Sequence, residues 1–268
     1  MSDRITVRIA DHVADVRLSR ADKLNALDLG MFEALIDTGR SLAKQNGVRA
    51  VVLSGEGRAF CAGLDFASFM AMAGGDKPSR NLFDRDASSP ANLAQLAGYV
   101  WKELPVPVIA AVHGACYGGG LQIAAGADIR IVHPEAKLSV REMYWGLIPD
   151  MSGTRTLKNV VRQDVLKELT FTARIVPGTE AVALGLATRM HDDPHAAAME
   201  LATQIAACSP TAMRAAKRIL DQAWMIPDDG PGLQLEEDLQ RTLLGTPNQI
   251  EAVQANMQKR SAVFTDPE

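Results

Sequence analysis

The stretch "VPVIAAVHGACYGGGLQIAAGAD", residues 106–128, constrains the fold more than any other part of the chain. It opens as a short apolar run rich in branched residues, the mark of a buried strand. It closes as a helix-like run of Leu, Ile and Ala. Three consecutive glycines, Gly118 to Gly120, stand between the two. A backbone that bare lets another group approach it closely, because glycine has no Cβ.

Three uses compete for it. A phosphate cradle is the first. "GEGRAF" (55–60) begins like a dinucleotide fingerprint, but Phe60 stands where its last glycine belongs, and no G-x-x-x-x-G-K-[ST] occurs. Both nucleotide-loop readings fail. A nucleophile elbow is the second: Gly114-Ala-Cys116-Tyr-Gly118 is a G-x-C-x-G between strand and helix, with Asp150 and then His191 or His195 following in a workable order. Free cysteine is more often a small buried residue than a nucleophile. An oxyanion hole is the third. A helix starting at Gly119 offers unpaired N–H groups at its positive dipole end. A second donor is available at Leu64, just after Gly63 in "CAGLD" (61–65). Tight helix–strand packing would also account for the glycines.

Composition narrows the classes. The chain has 268 residues, 47% hydrophobic and 22% charged, which suits a globular protein with a substantial core. Its 28 basic and 32 acidic residues leave −4, so a nucleic-acid partner is not expected. The N-terminal "MSDRITVRIA" carries no signal-peptide core, and no apolar run approaches the ~20 residues of a membrane span. Three cysteines, Cys61, Cys116 and Cys208, show no CxxC spacing, and there is no Cys/His cluster. Reduced thiols, a cytoplasmic location and no metal are the expectations.

Along the chain, residues 5–18 read as two short strands around an Asp-His turn. Asp28 caps a helix whose apolar positions Met31, Phe32, Leu35, Ile36 and Leu42 keep helical spacing. Residues 49–55, the "VPVIAAVHG" run, "ADIRIVH" and "KLSV" read as further strands. Residues 74–91 are polar, with Gly, Pro, Ser and Asp, and read as a mobile surface loop. From Gln163 the pattern is helical, near 163–170, 179–186, 195–207, 210–223, 232–243 and 247–260, punctuated by prolines. An α/β core over 1–195 with a helical region over 196–268 is the expectation.

Four blocks in order then carry a resemblance: "RADKLNALD" (20–28), "GRAFCAGLD" (57–65), "VHGACYGGGLQIAAGADIRI" (112–131) and "LSVREMYWGLIPDMSGT" (138–154), with "MQKRSAVF" (257–264) near the end. Together they resemble the crotonase superfamily, the enoyl-CoA hydratase and isomerase relatives. The resemblance implies a spiral of ββα units with a C-terminal helical region for trimerisation, trimers often pairing into hexamers. It implies an acyl-CoA thioester as substrate, with coenzyme A part of that substrate and no tightly bound cofactor. It makes Leu64 and Gly119 the backbone donors to the thioester oxygen, and Cys116 a small packing residue. Leu24, in the first block, together with Ala62, Leu64 and Asp65, would meet CoA. Lys23 and Lys259 are candidates for its phosphates, Lys259 from a neighbouring subunit. Tyr144 and Trp145, with Phe66, Phe69, Met70, Met72 and Phe83, could line an acyl pocket or belong to the core. Residues 74–91 could fold over the acyl chain.

The hydratases of that superfamily resemble one another in two glutamates twenty residues apart. Here the first place is Gln122 and the second Glu142. A glutamine can hold a water or the thioester by hydrogen bonds but cannot exchange protons at neutral pH. A new carboxylate, Asp150, stands where hydratases carry glycine, at a place resembling the aspartate of dienoyl-CoA isomerases. Glu142 with Asp150 could then remove and return a proton without water. Alternatively, Asp150 caps the helix beginning at Ser152 or pairs with Arg155. Double-bond isomerisation is the preferred reading. Hydration, other crotonase-type hydrolysis or lyase chemistry, and a non-enzymatic acyl-CoA-binding scaffold are the alternatives.

Overall fold

Strands that are covered on both faces must be apolar at nearly every position, and three segments meet that demand. The computed structural model of the chain describes residues 3–73, 81–85 and 89–267, without the side chains of residues 69 and 71–73. The expected acyl-pocket residues Phe69 and Met72 lie outside those described side chains, as does much of the polar loop 74–91.

Strands β1 (Ile5–Ala10), β2 (Val13–Leu18), β3 (Ala50–Gly55), β4 (Val108–Val112), β6 (Ile129–Val132) and β9 (Arg189–Met190) form a sheet in the order β1-β2-β3-β4-β6-β9. Only the β1–β2 hairpin is antiparallel; Asp11 and His12 turn it with positive φ, as expected for such a short connection. The other strands, β5 (Ala115–Tyr117), β7 (Lys137–Ser139) and β8 (Val176–Pro177), make a second sheet.

Helix α1 (Leu29–Ala43) starts where the sequence indicates: the Asp28 side chain accepts the Met31 N–H at 2.8 Å. Its buried face, from Met31 to Leu42, keeps the expected helical spacing. Helix α2 is Phe66–Ala73, and α3 (Leu93–Glu103) packs against α1 and against α4 (Gly119–Gly126). A capping box at Asn92 and Gln95 fixes the start of α3. After α5 (Gly153–Thr156), α6 (Gln163–Thr172) and α7 (Gly178–Ala183) come four longer helices: α8 (Pro194–Ala206), α9 (Pro210–Ala223), α10 (Asp229–Leu243) and α11 (Pro247–Gln258). Proline occupies the first turn of α8, α9 and α11, where its missing N–H costs nothing.

The expected division at 195/196 falls inside α8. Ala197, Ala198, Ala202 and Ala206 of that helix cover Val52, Ile109 and Ala111 on one face of the six-stranded sheet. Small residues let the helix lie close to the strands. No helix among the described residues is long and apolar enough to cross a membrane.

Lys217 fastens the helical tail to the core. It is buried, and its Nζ donates to Asp128 Oδ2 at 2.8 Å and to the Val106 carbonyl at 3.0 Å. Replacing it leaves Asp128 and a carbonyl without that cation, while Asp128 keeps the Val108 N–H and partial access to water. Lys217→Ala should therefore cost about 2–4 kcal/mol, slightly less than a fully buried pair, read as a lower urea midpoint at unchanged slope.

Candidate active site

The glycine run works by close approach. A Cβ on Gly120 would lie 2.5 Å from the Cys61 carbonyl oxygen and 2.8 Å from the Cys61 Cβ. Gly118 has φ 51° and ψ −120°, a conformation closed to residues with side chains, and caps α4 without any side-chain hydrogen bond. The two glycine loops are then stitched together: the Phe60 N–H donates to His113, Cys61 to Ala115, and Tyr117 to Cys61, all at 2.8–3.0 Å.

This stitching places Leu64 beside the start of α4. The Leu27 N–H donates to Gly63 and the Asp65 N–H to Leu27, so the N–H of Leu64 points to the other side of that strand-like pairing. Neither the Leu64 nor the Gly119 N–H donates to a backbone acceptor among the described residues. Both residues line one cavity of about 280 Å³, together with Ala62, Gly118, Glu142, Trp145 and Asp150. Phe32, Leu82, Ala94, Leu147, Ile148 and Met151 complete its apolar wall.

Glu142 opens a 3₁₀ turn, Glu142–Trp145, that ends on Gly146 with φ 71°. The carboxyl is buried; Oε1 accepts from Gln122 Nε2 at 2.6 Å, and Oε2 has no hydrogen-bond partner. Burial pushes its pKa up, and the nearby Asp150 charge adds to that, against the opposing pull of hydrogen bonds from its own backbone and from Gln122. Partial burial raises Asp150 as well. Asp150 makes no ion pair with Arg155 among the described residues, and α5 is capped at Ser152 without a side-chain bond. Neither structural alternative for Asp150 is realised.

Other expected contacts fall differently. Gln122 is 2% exposed and does not line this cavity; its Oε1 accepts the Met151 and Gly153 N–H groups at 2.8 and 2.9 Å. It holds Glu142 and the backbone beyond Asp150 through both ends of its amide, facing away from the cavity where the expected water or thioester would lie. The Asp65 carboxylate is engaged by Arg20 at 2.7 Å and by the Ser68 N–H at the start of α2, so it serves the fold. Leu24, with φ 51°, offers its carbonyl to the Ala62 N–H. Lys23 and Lys259 are exposed and line no part of the cavity.

Of the expected acyl-wall residues, Phe66, Phe83 and Trp145 do line it. Trp145 stacks on Phe66 with ring centroids 4.2 Å apart, while Tyr144 lies outside, beneath the Arg141 guanidinium at 4.1 Å. Met70 is exposed and also outside. Cys116 is completely buried and its thiol is pushed up by that burial, which removes the thiolate an elbow would need. His195 is held by Asp15 at 3.1 Å on the sheet, and His191 is exposed; neither serves Cys116.

Comparison with known proteins agrees with this arrangement. Residues 8–267 match the family model described as enoyl-CoA hydratase/isomerase. The chain is 34% identical to the mitochondrial Delta(3,5)-Delta(2,4)-dienoyl-CoA isomerase of Mus musculus, over 93% of this chain and 77% of that protein. It is 30% identical to the mouse mitochondrial methylglutaconyl-CoA hydratase, over 91% and 76%. The crystal structure of an enoyl-CoA hydratase from Bacillus anthracis superposes with a TM-score of 0.87 at 30% identity, covering 97% of this chain and 98% of that one. With the crotonase fold and the family both in hand, the chain is an enzyme and belongs to the enoyl-CoA hydratase/isomerase family.

Proposed function

We propose that the protein shifts double bonds in an enoyl- or dienoyl-CoA, with Glu142 and Asp150 moving the proton and the Leu64 and Gly119 N–H groups holding the thioester oxygen. The observation that carries this reading is the pair of carboxyls on one cavity, one of them with a buried, unpartnered Oε2. Removing a proton next to a thioester leaves an enolate, and two fixed donors stabilise its oxygen as the charge develops. Ionised Glu142 takes that proton on Oε2. The negative charge delocalises along the conjugated chain, and protonated Asp150 returns a proton at the far end. Asp150 is open to solvent on one side, which lets the two carboxyls reset through water. The similarity to the mouse dienoyl-CoA isomerase supports the same assignment.

The reading extends to CoA, with Ala62, Leu64 and the Asp65 backbone lying against its adenine end, Leu24 in the segment that meets it, and Lys23 and Lys259 serving its phosphates. It extends also to a homotrimer or hexamer. Leu220 on α9, Trp224 just after it and Leu233 on α10, each more than 60% exposed, supply an apolar surface for it. Unpaired thiols at Cys61, Cys116 and Cys208, the first two buried, fit a cytoplasmic setting.

A panel of 2-enoyl-, 3-enoyl- and 3,5-dienoyl-CoA thioesters, followed by absorbance and mass, tests the reaction. The isomerase shifts absorbance at constant mass; rapid gain of one water by a 2-enoyl substrate, with Asp150→Asn harmless, would reject it. Glu142→Gln should lower turnover by roughly 10²–10⁴ with thioester binding retained. The pH profile should show the sign of the Glu142 shift. The base acts ionised and its pKa is raised, so kcat/KM should fall as pH drops through a limb above the ordinary carboxylate range of about 4.3.

Gly119→Pro removes one donor and should cost about 10²–10³ in rate. Gly119→Ala is the control, since it keeps the N–H and adds a Cβ whose nearest neighbours are the side-chain ends of Leu27 and Met151, which must shift to take it. Equal activities in the two variants would take the Gly119 donor out of the mechanism.

A further inference from the structure

We propose that Gln122 is a positioning residue that fixes which oxygen of Glu142 carries the proton and ties the Asp150 segment to the same anchor. Its side chain has one orientation only. Two backbone N–H groups, of Met151 and Gly153, converge on Oε1, so the amide nitrogen must face Glu142. That nitrogen is a donor and nothing else. Whatever the protonation state of Glu142, its Oε1 is therefore an acceptor, and because the carbonyl oxygen of a neutral carboxyl accepts more strongly than its hydroxyl, the bond places a proton on Oε2.

The loop is built around this amide. Ser152 lies in the left-handed region at φ 73°, costly for a residue with a side chain, and this aims the flanking Met151 and Gly153 N–H groups at one oxygen. A Cβ on Gly153 would be 2.8 Å from that oxygen. Asp150 immediately precedes this clamp, so its height relative to Glu142 follows from the same three bonds. The charged and titratable groups around Gln122 are Glu142 and Asp150 on the site side, with Arg141 adjacent. Lys158 and Lys167 line the separate cavity behind it.

The importance of Oε2 rests on the proton-shuttle reading; the clamp does not, and the two are separable. The experiment uses the full-length protein with Gln122→Met, which keeps length and volume but makes none of the three bonds, and Gln122→Glu. Amide hydrogen exchange reports Met151 and Gly153, and the infrared carbonyl band of protonated Glu142, identified by its loss in Glu142→Gln, reports its titration.

Gln122→Met should lose about 10-fold or more of the protection at those two amides, the equivalent of roughly 1.4 kcal/mol. It should also move the Glu142 titration upward, because a donor to the ionised carboxylate has gone. Turnover of a dienoyl-CoA should drop about 10–100-fold with KM little changed. Gln122→Glu should restore protection at low pH, where a neutral acid can donate to Glu142 and accept both N–H groups. It should lose protection as pH rises and the proton shared with Glu142 departs, a dependence the wild-type amide lacks. Wild-type protection and titration in Gln122→Met overturn the clamp. Lost protection with an unmoved Glu142 titration overturns the control of Glu142. A wild-type protein inert toward every dienoyl-CoA, with the exchange and infrared results as expected, supports the clamp and strikes only the isomerase reading.

Discussion

Backbone touches backbone where α4 begins, and the site depends on that contact. The Cys61 carbonyl accepts the Tyr117 N–H while passing within 2.5 Å of where a Gly120 Cβ would stand. On the neighbouring loop, a Cβ on Gly63 would come within 2.8 Å of the Tyr117 carbonyl oxygen. Nothing larger than hydrogen fits at either place. The consequence is that Leu64 and Gly119, 55 residues apart in sequence, line one cavity on backbone that no flexible side chain places, and neither N–H is used by a backbone acceptor among the described residues. In the proposed reaction, donors held this way need no reorganisation when charge develops on the thioester oxygen.

Around that rigid centre the electrostatics are uneven by construction. Glu142 is buried beside a neutral amide, and Asp150 is open to solvent on one side. Both carboxyls are pushed up by burial, but Glu142 also feels the Asp150 charge. A second carboxylate at position 122 would face Glu142 across 2.6 Å and force the two to share a proton. The amide avoids that coupling while still satisfying two N–H groups. Gln122 thus makes a buried acid tolerable without neutralising it by a cation.

How much of this was legible depended on how local each cause was. The cap at Asp28, the hairpin turn at Asp11 and His12, and the proline-started helices α8, α9 and α11 follow from side-chain chemistry within a few residues, and the chain shows them openly. The glycine run announced a close approach but not its partner. Cys61 lies on a different loop, and nothing in the run itself names it. Gln122 was visible as a departure in a pattern, an amide where a carboxylate was expected. Its actual bonds were not readable, because Met151 and Gly153 contribute backbone N–H groups that any residue could supply. The same holds for Leu147 and Ile148. A pocket wall and a core are built from the same side chains, and only the tertiary position separates them.

That ambiguity has a chemical consequence. Trp145, Phe83 and Ile148 line the cavity yet stay 52%, 70% and 67% exposed, so one wall of the site is apolar and wet. An acyl chain laid on that wall removes water from both partners at once. It also removes water from Asp150, the more hydrated of the two carboxyls. Desolvation favours the neutral form of an acid, so occupancy should raise Asp150 most, since Glu142 is already buried. In the proposed reaction this is the useful direction. The arriving substrate makes Asp150 the proton donor, while the Gln122 donor on Oε1 opposes the upward push of burial on Glu142 and favours it as the base. An empty site then holds one buried and one hydrated carboxyl, and in the proposed reaction a filled one holds a base and an acid.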